Sequence, residues 1–222
     1  SQVELAAYRT AAEQFTAELM LEYYRHYAGL QEDFAIEAIY DRHAGLFSRR
    51  AVDELRELAD RDAGAQTRDD EARSRQALFA FAVEGLLGQA TKDLDAQIAR
   101  REAELQIEVD GLPIGFRESA VVEQNEPDRE RRRRIEAARL EATARELTPL
   151  HREALERSHA LSRELGWPSY LAMCEAVQRV DLGALERQTA SFAAATEPSY
   201  DAIVDPPVRR AVGVGIGELR RS

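Results

Sequence analysis

Leu105-Gln106-Ile107-Glu108-Val109-Asp110-Gly111-Leu112-Pro113-Ile114-Gly115-Phe116 is the stretch around which the rest of the chain is organised. Apolar residues fall at every second position, first at Leu105, Ile107 and Val109 and then at Leu112, Ile114 and Phe116. That period of two belongs to a strand. Asp110-Gly111 between the two runs is a type I′ turn signal, because both turn residues need positive φ. A two-residue loop pairs Val109 with Leu112, Ile107 with Ile114 and Leu105 with Phe116. All six apolar side chains are then predicted on one face. Pro113 lies opposite Glu108 at a non-hydrogen-bonded pair, where its missing N–H costs the ladder nothing. An isolated hairpin is marginal in water, so this face is expected to lie against helices.

Outward from the hairpin the period becomes helical. On its N-terminal side, Phe79, Val83, Leu86, Ala90, Leu94 and Ile98 form one stripe. Leu78, Phe81 and Leu87 widen it, which predicts a long helix buried on more than one side. Asp69, Asp70 and Glu71 sit where a helix start favours negative charge. Further back, Leu5, Tyr8, Ala12, Phe15, Leu19 and Tyr23 predict a first helix ended by Gly29. Ile36, Tyr40, His43 and Phe47 predict a second, ended near Gly45 or Phe47. Ser48 is placed as the cap of a third, carrying Val52, Leu55 and Leu58 and closing over residues 60–64.

On the C-terminal side, Pro127 is placed in the first turn of a helix through Ile135, Ala138 and Ala142 towards Leu147. Thr148-Pro149 repeats a cap-and-proline start for the stripe Leu150, Ala154, Leu161 and Leu165, which Gly166 ends. Pro168 opens a short helix with Tyr170, Leu171 and Met173. Asp181 caps the last, with Leu182, Leu185, Thr189, Phe192 and Thr196 in register. Pro198 is expected to kink or end that helix. Pro206-Pro207 with Gly213, Gly215 and Gly217 predicts a tail ill suited to regular structure. The predicted fold class is mainly α: a multi-helix array with one small β-hairpin near residues 105–116. Residues 1–68 are read as N-terminal helices and residues 69–222 as a second helical region that contains the hairpin.

The chain has 222 residues, 44% of them hydrophobic and 32% charged, enough for a real core with a charged coat. Its net charge of −11 disfavours nucleic acid and anionic lipid as partners. Cys174 is the only cysteine, so neither an internal disulfide nor a thiolate zinc cluster can form. No apolar run approaches the roughly 20 residues that span a bilayer, and no signal-peptide pattern opens the chain. A cytoplasmic protein is expected.

Four histidines, His26, His43, His151 and His159, are the candidates for metal or acid–base chemistry. Glu156 and His159 have the Glu-x-x-His spacing that di-iron bundles use twice, but the second copy is missing. Glu22 and His26 are an ordinary i,i+4 pair. His43 lies on an apolar stripe, which predicts a satisfied core or interface histidine. Arg131, Arg132, Arg133 and Arg134 could hold a phosphate, yet Glu126, Asp128, Glu130 and Glu136 are within pairing distance, which predicts a solvated, salt-bridged face. Cys174 follows Met173 in an apolar helix and reads as an inert buried thiol. Gly213, Gly215 and Gly217 do not join a strand to a helix and make no phosphate loop.

The hairpin about Asp110-Gly111, the stretch Asn125-Glu126-Pro127-Asp128-Arg129, the stretch Gly166-Trp167-Pro168-Ser169-Tyr170 and the pair Asp181-Leu182 follow one another in an order that resembles the helical N-terminal region of oligoendopeptidase F and thimet-oligopeptidase-like zinc metallopeptidases. The resemblance covers about residues 70–222 and is strongest from Leu105 to Leu185. It implies a mainly helical parent that hydrolyses short peptides with a zinc-bound water. The family's His-Glu-x-x-His is absent from the 222 residues. No catalytic, cofactor-binding or metal-binding residue therefore carries over. The expectation is a non-catalytic helical portion, inactive alone, that lacks its C-terminal catalytic half. No cofactor is expected in this chain and zinc is expected in the longer parent. The expected partners are that missing half, or a second copy of the chain. The alternative is a complete non-catalytic helical protein-interaction module.

Overall fold

The computed structural model describes residues 4–61 and 70–219. The predicted helix start at Asp69, residues 62–64 and residues 220–222 lie outside the described residues. Two compact units divide the chain, Ser1–Gln178 and Arg179–Ser222. The fold is mainly α with one small two-stranded antiparallel sheet.

The first unit opens with α1 (Leu5–Tyr27), whose buried Tyr8, Ala12 and Phe15 come from the predicted stripe. Gly29, at φ +70°, takes the left-handed conformation that turns the chain out of the helix. α2 (Ile36–Arg42) is shorter than predicted, and Ala44–Leu46 continue it as a 3₁₀ turn. In α3 (Arg49–Arg61), Ser48 Oγ accepts from Ala51 N at 3.1 Å, as a helix cap should. Val52 and Leu55 are fully buried.

α4 (Asp70–Glu104) is the central rod. Leu78, Phe79, Ala82 and Val83 of its first half pack with Tyr8, Phe15, Phe47 and Leu55, and also with Leu165, Met173 and Val177 from the far end of the unit. One core therefore joins the helices on both sides of residues 62–69. Phe15 is its aromatic hub, with edge-to-face contacts to Tyr40, Phe47 and Phe81. Gly85 and Gly88 permit this packing. A Cβ on Gly85 would overlap the Phe47 ring, and one on Gly88 would overlap the Tyr40 phenol.

β1 (Gln106–Val109) and β2 (Leu112–Gly115) pair in the predicted register, with Ile107 opposite Ile114 and Val109 opposite Leu112. Asp110 and Gly111 both have positive φ, as a type I′ turn demands. Ile107, Val109 and Phe116 are buried in a second core with Ile135, Ala142 and Leu147, and Leu105 and Ile114 pack against it. The prediction of six covered side chains fails at one. Leu112 is 60% exposed. α6 lies along β1, and α5 leaves β2 at its Gly115 end, away from Leu112.

Phe116 also opens a helix the sequence reading did not contain, α5 (Phe116–Asn125). The next, α6 (Arg129–Ala142), starts later than predicted: Asp128 is its cap, accepting from Glu130 N at 3.0 Å, and Pro127 stays outside. A π-helical turn (Thr143–Leu147) then leads directly into α7 (Thr148–Glu164). Thr148 does not cap a new start. Its hydroxyl donates to the Thr143 carbonyl at 3.1 Å, across the widened turn. Gly166, at φ +91°, ends α7, and Ser169 caps α8 (Tyr170–Gln178) by accepting from Ala172 N at 3.0 Å.

In the second unit, Asp181 caps α9 (Leu182–Val212) through Ala184 N at 2.7 Å, as predicted. Of the two outcomes expected at Pro198, a kink or an end, the end is corrected, as is the irregular tail from Pro206. α9 continues through Pro198, Pro206 and Pro207 to Gly213, and Ile216–Glu218 form a 3₁₀ turn. Each proline removes one backbone bond from a helix. The alanines at 190 and 193–195 are strong helix formers ahead of the first one. Across the last two prolines, Asp205 pairs with Arg209 at 2.6 Å and accepts from Ile216 N at 2.8 Å, fastening the end. No residue of α9 is buried.

Candidate functional site

A cavity of about 890 Å³ opens where α1 ends. Gly29 sends the chain into the 30–35 segment, which forms one wall, and the last turns of α4 and the start of α5 form the others. Glu22 fixes that segment. Its Oε1 accepts from Gln31 Nε2 at 2.7 Å and from Ala35 N at 2.6 Å, so it ties the segment to α1 and serves the start of α2. The predicted Glu22–His26 pair does not form, because Glu22 is engaged there.

His26 is the site's buried polar group, 4% exposed. Its ring stacks on Phe34 with centroids 4.6 Å apart, and Tyr27 meets it edge-on. Arg117 of α5 reaches it with Nη2 at 3.0 Å from His26 Nε2. The same Nη2 donates to the Ala99 carbonyl at 3.0 Å, and the guanidinium lies over the Tyr27 ring. A guanidinium has no acceptor, so Nε2 must accept and the imidazole proton sits on Nδ1. Nδ1 is buried without a hydrogen-bond partner. Leaving a buried donor unpaired costs about 1–3 kcal/mol. Arg100 also lines the cavity and has no hydrogen-bond or ion-pair partner among the described residues. Nothing in the sequence marked this constellation, because Arg117 belongs to the helix that the sequence reading lacked.

The other candidates lie on different elements, save that His151, Glu156 and His159 share α7. His43 is half-buried, 3.2 Å from Glu18 and edge-on to Phe15, a satisfied histidine at a helix interface as predicted. His159 packs against the Tyr170 ring, Glu156 is exposed, and His151 is exposed. Cys174 is half-buried beside Tyr170, whose hydroxyl is pushed above its ordinary pKa by burial and then by Cys174. Among the described residues no group of three or more His, Cys, Asp or Glu stands close enough to hold a metal ion.

The arginine run forms ion pairs. Arg133 meets Glu130 at 3.0 Å, and Arg131 pairs with Glu126. Arg134 meets Asp110 at 2.8 Å and Arg131 meets it at 3.3 Å. Asp110 was not among the predicted partners. It arrives from the hairpin turn, and the hydrogen bond from Arg134 holds its carboxyl below the ordinary range. Arg132 donates to the Glu126 carbonyl at 2.8 Å, so the run locks the hairpin tip and the loop before α6 onto the helix.

The stretches that carry the family resemblance do similar structural work. Glu126 Oε1 accepts from Asp128 N at 3.0 Å, and Asp128 and Asp181 cap helices. Trp167 lies under the Arg56 guanidinium, 4.0 Å from its ring centroid, while Arg56 Nη2 donates to the Leu165 carbonyl at 3.1 Å. Compared with family models, with curated proteins and with solved structures, the chain has no match in any of the three. Among the described residues no helix is long and apolar enough to cross a membrane.

Proposed function

We propose that this chain is the N-terminal, non-catalytic helical portion of a zinc oligopeptidase-like protein, cytoplasmic, whose complete form hydrolyses short peptides. The observation that carries the reading is α9. Leu185, Phe192, Tyr200 and Ile203 are 45%, 70%, 57% and 74% exposed. At 3.6 residues per turn they fall within an arc of about 80°. An amphipathic helix of this kind keeps its stability by burying such a stripe against something else. A following catalytic half is the partner that the motif order implies. The structural roles of Glu126, Asp128, Trp167 and Asp181 agree with a wall that supports chemistry located elsewhere.

The test extends the polypeptide through the reading frame beyond Ser222 and assays it on quenched-fluorescent short peptides with zinc. Hydrolysis by the extended protein that a chelator abolishes, with none by the 222-residue chain, is the expected result. An extended protein with no chelator-sensitive hydrolysis would overturn the reading.

A further inference from the structure

We propose that the outer edge of β1 takes up a short, basic, extended peptide as a third strand. This goes beyond the peptidase-like reading and does not rest on it. The turn sets which backbone groups face outward. Val109 and Leu112 close the two-residue loop as a hydrogen-bonded pair, and the alternation runs on to Phe116, whose N–H reaches the Leu105 carbonyl at 2.8 Å. Leu105, Ile107 and Val109 therefore direct their backbone groups towards β2. The N–H and C=O of Gln106 and Glu108 point the other way and have no hydrogen-bond partner among the described residues. The opposite edge of the hairpin is closed. Pro113, opposite Glu108, has no N–H to offer, and Gly115 is already the N-cap of α5. One edge is blocked and the other is left able to pair, the geometry by which sheets recruit extended peptides.

A groove of about 250 Å³ runs beside the open edge. Residues 106–108 of β1 form one side, and among the described residues none of β2 lines it. Ala138 and Ala142, one helical turn apart, form the other side with Glu141 and Arg145, which pair with each other at 3.4 Å. The groove is smaller than the usual small-molecule site, and its methyl-sized side chains suit a backbone better than a bulky ligand. An added strand alternates its side chains. Those directly opposite Gln106 and Glu108 share the solvent-facing side with them. Glu108 is exposed and makes no ion pair among the described residues, so it favours a lysine opposite and opposes an acidic residue. The residues between turn towards α6 beside Ile107, where a small apolar side chain fits.

Amide spectra of the ¹⁵N-labelled 222-residue chain, titrated with the blocked peptide acetyl-Lys-Val-Lys-Val-Lys-amide, test the proposal. The amide protons of Gln106 and Glu108 are expected to shift downfield and to gain protection from exchange, with further shifts at residues 138–145. N-methylation of the lysines removes the donors that face β1 and is expected to weaken binding at least about tenfold, whereas N-methylation of the valines, whose N–H groups point away, leaves it within about twofold. Glutamates in place of the lysines should weaken it by about fivefold. Glu108→Pro removes an N–H that bonds nothing in the protein, and is expected to abolish binding while the hairpin keeps its register. Glu108→Gln keeps that N–H and should weaken binding by only about fivefold. If Glu108→Pro does not fold, the two methylated peptides decide. Equal binding of those two peptides, shifts confined to other residues, or undiminished affinity in a folded Glu108→Pro chain would each overturn the proposal. So would edge amides that gain protection with rising protein concentration and no peptide, the sign of a second copy on β1.

Discussion

Gly85 and Asp95 show how single residues of α4 set its neighbours. Gly85 is a poor helix former in mid-helix, costing about 1 kcal/mol against alanine. Its place is explained by the Phe47 ring, only 4% exposed, which occupies the space of a Cβ. Gly85→Ala is therefore expected to destabilise, because overpacking at about 1–3 kcal/mol outweighs the helix gain. A denaturant midpoint that rises instead would show that Phe47 can move away. Asp95 titrates in the opposite sense to Asp110. Burial raises its carboxyl above the ordinary value, against the hydrogen bond from Thr91. The native state then takes up its proton at a higher pH than the unfolded chain does. Ionised Asp95 costs stability at neutral pH, and the cost is relieved as pH falls through the raised pKa. Asp95→Asn should be more stable than the parent at pH 7, with the gain vanishing below about 3.9, where the unfolded carboxyl is protonated too. Melting curves across that window check it. The same carboxylate adds to the burial that pushes the Tyr40 hydroxyl up to about 12.

Among the elements, the hairpin was the most legible from sequence. Its register needs only the period of two and the conformational demand of Asp110-Gly111, and both are local. Coverage is not local, which is why Leu112 escaped. Ile107→Ala is expected to cost about 2–5 kcal/mol by opening a cavity between β1 and α6. Leu112→Ala should stay within about 0.5 kcal/mol, as exposed substitutions do. Equal losses from the two would mean that the hairpin face is covered differently. Helices with clean stripes and caps, such as α3 with Ser48 and α9 with Asp181, were also readable. α5 was not, because Phe116 reads as the last residue of a strand while its N–H pairs with the Leu105 carbonyl at 2.8 Å and its chain already turns helical. Its loss hid Arg117 and with it the candidate cavity. Of that site, the sequence reading named Glu22 and His26 only as an ordinary pair. The wide turn at Thr143–Leu147 gave no signal either, since Thr148-Pro149 resembles a fresh helix start whether or not the preceding helix has ended.

For the molecule as a whole, the unburied stripe on α9 predicts association. Light scattering should report self-association of the 222-residue chain that grows with concentration. Phe192→Glu with Ile203→Glu should abolish it, because charges on the stripe oppose its burial. A monomer at every concentration would remove the argument for a missing partner surface. The joining of Arg56 to Trp167 has a further consequence, in time instead of space. A ribosome releases α1 to α4 long before residues 165–177 emerge, so Leu55, Phe79 and Val83 wait without the side chains that seal their core. Closing the Arg56–Leu165 hydrogen bond beside it spans 109 residues, a late and entropically costly step. Arg56→Ala should then leave the refolding rate nearly unchanged and speed unfolding, the kinetic mark of a latch set after the fold has formed.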